Sequence, residues 1–181
     1  MTEELEWETH NETIAYSCPG FDIVHEDVAL PDGTETDFDF LREGDSVVVL
    51  ALTLDGDVVV IEEWRQAVKR VNRALPAGSM ETSDDEPQAA VARELREETG
   101  YEAETIEPMT TVEPANGIAD SVLHFFVARG CRPTASQQLD FNESIRVETT
   151  TFDDLRAAVE NDEVRDGRTV FGVLYHALTG D

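Results

Sequence analysis

Apolar positions along the chain change period several times, and each change marks an element. Over residues 12–30 they alternate, with Ile14, Tyr16 and Cys18, then Phe21 and Ile23, and further on Val28 and Leu30. That is the period of a half-buried strand. Pro31-Asp32-Gly33 ends the run as a turn, and TETDFDF (34–40) predicts a second strand. Residues 46–54 (SVVVLALTL) are almost continuously apolar, as in a strand covered on both faces. Asp55-Gly56 is a hairpin turn that returns the chain as a partner strand over 58–63. Residues 85–99 predict a helix: Asp85 and Gln88 have the spacing of a capping box, Pro87 suits the first turn, and Gly100 suits the stop. VLHFFVA (122–128) and residues 145–151 read as further strands, and residues 152–160 and 169–178 as amphipathic helices. The first seven residues read as frayed. The expectation is an α+β domain with a mixed sheet, without internal repeat or long linker.

Composition narrows the chemistry. The 181 residues hold 40% apolar side chains, enough for a core, yet 13 Lys+Arg face 40 Asp+Glu for a net charge of −27. Such a surface repels phosphate backbones and anionic lipid, which argues against nucleic-acid and membrane partners. No apolar run approaches the roughly 20 residues of a membrane span. The start, MTEELEWETH, is acidic where a signal peptide is basic and then apolar, so a cytoplasmic protein is expected. Cys18 and Cys131 are too few for a disulfide framework and lack metal-site spacing. Lys69 is the only lysine. Excess carboxylate with almost no lysine resembles proteins of salt-accumulating halophiles, where a Debye length of about 3 Å at 1 M salt silences repulsion between neighbouring acids. An acidic protein from an ordinary environment is the plainer alternative.

Candidate chemistry concentrates in GSMETSDDEPQAAVARELREETGY (78–101). Helical spacing puts Glu94 beside Glu97 and Glu98, and Arg93 beside Glu97, while Val91 and Leu95 point to an adjacent face that can pack on a sheet. Carboxylates crowded within a turn repel one another, an arrangement suited to a hard divalent cation with oxygen ligands. A solvated acidic helix face is the competing account of the same residues.

The order of the residues favours the first account. RELREETGY preceded by Gly78 resembles the Nudix box, a Gly followed by an acid and then Arg-Glu-apolar-x-Glu-Glu-x-Gly-apolar. Asp85 stands where the box has Glu, and six residues rather than five separate it from Gly78. VALPDGTETDF, SVVVLAL, VVVIEEWRQAVKR and ALPAG, with the NDEVRDGRTV stretch, resemble the ADP-ribose pyrophosphatase branch over most of the chain. The resemblance implies a Nudix fold, a mixed sheet sandwiched by helices, over residues 46–181. It also implies an antiparallel N-terminal strand region, residues 1–45, that exchanges across a homodimer.

The implied activity is attack of water on a diphosphate with Mg²⁺, Mn²⁺ being the alternative metal. Glu94, Glu97, Glu98 and the Gly78 carbonyl would hold the metal, and Arg93 would orient Glu97. Arg65, with Arg70 and Arg73, would meet phosphate or ribose, or else pair with the abundant carboxylates. Trp64 would stack on adenine or belong to the core. His124 reads as a satisfied histidine of a buried strand. In PANGIADS, Ser121 replaces an acid that is often catalytic in the branch, which leaves Glu97, Glu113 and Glu143 as candidate general bases; Glu143 lies in LDFNES, a stretch that reads as a mobile loop. ADP-ribose or an ADP-sugar is the expected substrate; NADH, diadenosine phosphates or nucleoside triphosphates are alternatives. A non-catalytic Nudix-fold nucleotide-binding module is the alternative of a different class.

Overall fold

The computed structural model describes residues 4–180. The chain divides into two units, residues 1–45 with 112–122, and residues 46–111 with 123–181.

In the first unit, β1 (Glu8–Cys18), β2 (Phe21–Ala29) and β3 (Glu35–Arg42) form an antiparallel sheet in that order. The alternation over 12–30 thus covers two strands rather than one. Cys18 and Phe21 are register partners, and Pro19-Gly20 is the two-residue connection between them. Irregularities between Thr9 and Asn11 and between Ile14 and Tyr16 shift the parity of β1, which blurs a strand boundary read from alternation alone. Val24 and Val28 of the central strand are buried, whereas β1 is exposed along almost its whole length. Gly33 takes φ +83° in the expected turn, a conformation open to glycine at little cost. The frayed start is corrected in part: residues 1–3 lie outside the described residues, but Trp7 sets its ring edge-on to Phe38 at 6.0 Å. Residues 112–122 return along β3, where the Leu41 amide donates to the Ile118 carbonyl at 2.9 Å.

The second unit is built on β4 (Ser46–Thr53), β5 (Val58–Arg65), β10 (Leu123–Pro133) and β11 (Ile145–Thr150), extended by β6 (Arg70–Ala74), β7 (Ala77–Ser79), β8 (Tyr101–Glu102) and β9 (Thr105–Val112). Strand order is β11-β5-β4-β10-β8, with β6 on β5, β7 on β4 and β9 on β10. β10 runs parallel to β4, and β5 runs antiparallel, so the sheet is mixed as expected. The apolar run of β4 is explained by burial on both faces. Val47, Val49 and Ala51 join Ala90, Val91 and Leu95 of α1 (Pro87–Thr99) in one cluster. On the other face α3 (Gly167–Thr179) packs close to the sheet: a Cβ at Gly172 would lie 3.1 Å from Leu75 and 3.4 Å from Phe125. A buried side chain of Leu95's size contributes about 1.5–3 kcal/mol.

Helix starts depart from the expectation by two residues in α1, which begins later, and in α3, which begins earlier. α1 begins at Pro87 with Glu86 as N-cap and no side-chain cap, so Asp85 and Gln88 do not form a capping box. Gly100 ends the helix as expected, at φ +74°, with its amide on the Arg96 carbonyl. α2 (Phe152–Glu160) is capped by Thr151 and α3 by Asp166.

Candidate active site

Three segments of the second unit meet at a cleft of about 390 Å³: β7, with Gly78 and Ser79, the exposed edge of α1, and residues 138–143. Glu94 is the packed centre of the cleft. Its carboxylate lies against the Gly78 backbone so closely that a Cβ there would stand 2.1 Å from Glu94 Oε1. Glycine is therefore required at position 78 by close approach rather than by φ.

Arg93 holds this edge of the helix together. Its Nη1 donates to Glu94 Oε1 at 2.7 Å and to Glu97 Oε2 at 3.3 Å. Nη2 donates to the Ser79 carbonyl at 2.9 Å and to Asp84 Oδ2 at 2.8 Å. These bonds push the guanidinium pKa further up, Asp84 contributing most, and hold the Asp84 carboxyl below its ordinary value. Asp84 was not foreseen as a site residue, because the acids before α1 read as caps.

Glu98 turns away from Arg93 and accepts the Ala77 amide at 2.9 Å. Burial raises its pKa to about 8 against the opposing effect of that amide, and burial also raises Glu94 despite the Arg93 bond. Two neighbouring buried carboxyls, beside the Gly78 carbonyl, are oxygen donors of the kind that suits a hard divalent cation. Glu94, Glu97, Glu98 and the Gly78 carbonyl fit that role chemically. They do not converge on one point as they stand, since Glu94 and Glu97 share Arg93. Among the described residues, the trio with ligand atoms within 4.8 Å of one another is His25, Asp37 and Asp39 on the exposed three-stranded sheet.

Asp140 and Glu143 line the same cleft. Glu143 Oε2 accepts the Asp140 amide at 2.9 Å, so its side chain braces its own turn. This segment is tied to α1 in a way that its polar sequence did not suggest. The Gln138 amide donates to the Glu97 carbonyl at 2.8 Å, and Gln137 Nε2 donates to the Glu98 carbonyl at 2.6 Å. The amides of Thr134 and Ala135 both take the Gly100 carbonyl.

The cation side of the cleft contains Arg65 and Arg168. Arg65 Nη2 lies 2.7 Å from Glu63 Oε2, off the line needed for a hydrogen bond, and Glu63 is buried with its pKa raised by that burial. Trp64 and Arg70 stand outside the cleft. Trp64 is 46% exposed and donates to Gln66, so it is neither core nor beside the box carboxylates. Arg70 is the register partner of Arg65 but donates to Asn72 at 2.7 Å. His124 is hydrogen-bonded to Thr111 at 3.1 Å. Glu113 and buried Ser121 belong to the first unit, where Glu113 accepts from Asn116 at 3.2 Å. A larger hollow of about 530 Å³ lies along α1 past Arg96, Glu102 and Ile106; it shares Arg93 and Glu97 with the cleft but contains neither Gly78 nor Glu94, so the candidate chemistry stays with the smaller one.

Comparison with known proteins shows the family and the fold. The family model for the NUDIX domain matches residues 43–170. The ADP-ribose pyrophosphatase of Bacillus subtilis is 31% identical over 177 residues, covering 97% of this chain and 95% of the relative. The methanol dehydrogenase activator of Bacillus methanolicus is 31% identical over 154 residues, covering 84% and 83%. A crystal structure of an ADP compounds hydrolase superposes with a TM-score of 0.84 at 16% identity, over 96% of this chain and 93% of that one, a likeness of fold. With its box helix folded against Gly78 and relatives of this kind spanning nearly its whole length, the chain belongs to the Nudix family, as a pyrophosphohydrolase.

Proposed function

We propose that the chain hydrolyses ADP-ribose, or a closely related ADP-sugar, to AMP and a sugar phosphate with Mg²⁺. The observation that carries this reading is the joint presence in one cleft of Gly78, Glu94, Glu97, Glu143 and Arg65, beside buried Glu98. The near full-length similarity to an ADP-ribose pyrophosphatase supports the choice of substrate. Glu94, Glu97, Glu98 and the Gly78 carbonyl are the residues to hold the divalent cation. When bound, it offsets the diphosphate's charge and makes a water more acidic.

The remaining roles fall to the chain's own groups. Arg93 holds Glu94 and Glu97 on one side of the helix, from which both would turn to the cation. Arg65, backed by Glu63, receives a phosphate oxygen. Glu143 takes the proton as water oxygen forms its bond to phosphorus and the bridging P–O bond breaks, the leaving phosphate departing as the second product. Glu97 is the other candidate for that proton. The first unit, with Ile14, Tyr16 and Phe21 exposed on its sheet, is the surface through which two copies pair about a two-fold axis, and the acid-rich surface suits a salt-rich cytoplasm. A panel of ADP-ribose, NADH, diadenosine phosphates and nucleoside triphosphates with Mg²⁺ tests the substrate assignment. AMP released fastest from ADP-ribose is expected; faster cleavage of triphosphates, or no cleavage of any, refutes it.

A further inference from the structure

Three arginines line the cleft, and they are not equivalent. Arg93 is consumed by the carboxylates around it. Arg65 and Arg168 each stand against one carboxylate: Arg65 against Glu63 at 2.7 Å, and Arg168 Nη2 against Asp166 Oδ2 at 3.2 Å. A guanidinium has five N–H donors, so each keeps several for an anion. Both guanidiniums line the same cleft, and buried Glu63 feels the charge of each.

Arg168 is also held in place from behind. Asp166 Oδ1 accepts the Thr169 amide at 3.0 Å and the Thr169 hydroxyl at 2.9 Å. That hydroxyl in turn accepts the Leu75 amide at 2.9 Å, and Thr169 is wholly buried. Leu75 lies in the segment that runs on to Gly78, the seat of Glu94. A hydrogen-bonded line from Leu75 through Thr169 and Asp166 thus fixes Arg168 relative to the box carboxylates.

Resting on the hydrolase reading above, we infer that Arg168 is a substrate contact that, with Arg65, grips the phosphate of the diphosphate farther from Glu94 and Glu97. A diphosphate diester carries a charge on each phosphate. A site with carboxylates and a cation at one end and two forked guanidiniums at the other matches both charges, and a monophosphate satisfies only one end.

The test uses the full chain with ADP-ribose. Arg168→Ala raises KM for ADP-ribose with Mg²⁺ about ten- to hundredfold, the loss of one charge-assisted contact, and leaves kcat within about threefold. Arg168→Lys, which keeps a positive charge on a long stem, recovers part of the loss, and Arg168→Gln, which is polar but uncharged and shorter, does not. Calorimetric Kd for ADP-ribose in EDTA weakens in parallel, while the melting temperature stays put. An active wild type with an unchanged KM and Kd in Arg168→Ala overturns the inference, as does a fall in kcat alone. A wild type that binds ADP-ribose without cleaving it sinks the hydrolase reading and leaves Arg168 to be judged by the Kd shift. If the wild type neither binds nor cleaves it, both fail.

Discussion

Substituting Gly78 by alanine separates what the glycine does for stability from what it does for the site. The new Cβ would lie 2.1 Å from the Glu94 carboxyl carbon and from Oε1, and 2.4 Å from Oε2. Ordinary contact begins near 3.4 Å, so the carboxylate must retreat by 3.4 − 2.1 = 1.3 Å. Glu94 ends in a flexible side chain, so the stability cost sits at the low end of overpacking, about 1 kcal/mol. For a chain of this length that is a fall of about 2–4 °C in Tm. The retreat also stretches the 2.7 Å bond to Arg93 Nη1 and moves a proposed metal ligand by more than its positional tolerance. A displacement near 1 Å costs on the order of 10² in rate. The expected result is therefore a kcat at least about 10²-fold lower for ADP-ribose at saturating Mg²⁺, with Tm nearly intact. Differential scanning fluorimetry and AMP release measure the two sides. A kcat within threefold of wild type would refute the claim that Glu94 must lie against the backbone.

Four further outcomes follow from the same geometry. Glu98 has a raised folded pKa of about 8, so in metal-free protein its protonated form favours folding at low pH. That favour is lost as pH rises from about 4.5 towards 8; Glu98→Gln should flatten this decline of Tm with pH and lower kcat by at least about 10², and an unchanged slope would count against the burial argument. Glu143→Gln and Glu97→Gln, compared at saturating Mg²⁺, should show one loss of about 10²–10⁴ and one smaller; full kcat in Glu143→Gln removes it as the base. If the full chain is the proposed dimer by light scattering, a chain beginning at Glu43 should be monomeric or insoluble; an unchanged, active dimer would place the interface elsewhere. Self-repulsion among the acids should make Tm rise between about 0.1 and 2 M KCl, and a flat curve would argue against salt adaptation.

The parts of the site carried by one helix were legible because helical spacing alone puts Arg93, Glu94 and Glu97 together. The two-sided burial of β4 was legible for a similar reason, since a run without polar interruption leaves no face for water. β6 and β7, by contrast, are short and mixed in character (RVNRA, AGS), and they form because β5 and β4 offer edges to pair with. No local signal marks such strands. The capping box failed because Pro87 takes the first helical position, which makes Glu86 the N-cap and leaves Asp85 outside the helix. Trp64 could have been placed better: Glu63 and Arg65 share one face of β5, so period two sends Trp64 to the other. Residues 134–138 carry no periodic signal, and only the folded chain reveals that they satisfy carbonyls at the C-terminal end of α1. Arg168 was hidden by distance along the sequence, 71 to 74 residues beyond Glu97 and Glu94, which share its cleft.

The bond between the Leu75 amide and the Thr169 hydroxyl joins residues 94 positions apart, and this has a consequence for how the protein comes into being. During synthesis the ALPAG segment and the box helix are made first, and for the time taken to add α2 and the start of α3 the Leu75 amide has no Thr169 to meet. Contacts of such long separation form late, after the loop between them has been closed at an entropic cost. The carboxylate-bearing helix can form early from local interactions, but the cleft acquires its fixed geometry only when α3 docks. A nascent chain would thus bear a crowded acidic helix before it bears a working site, and catalytic competence would arise in one of the last steps of folding.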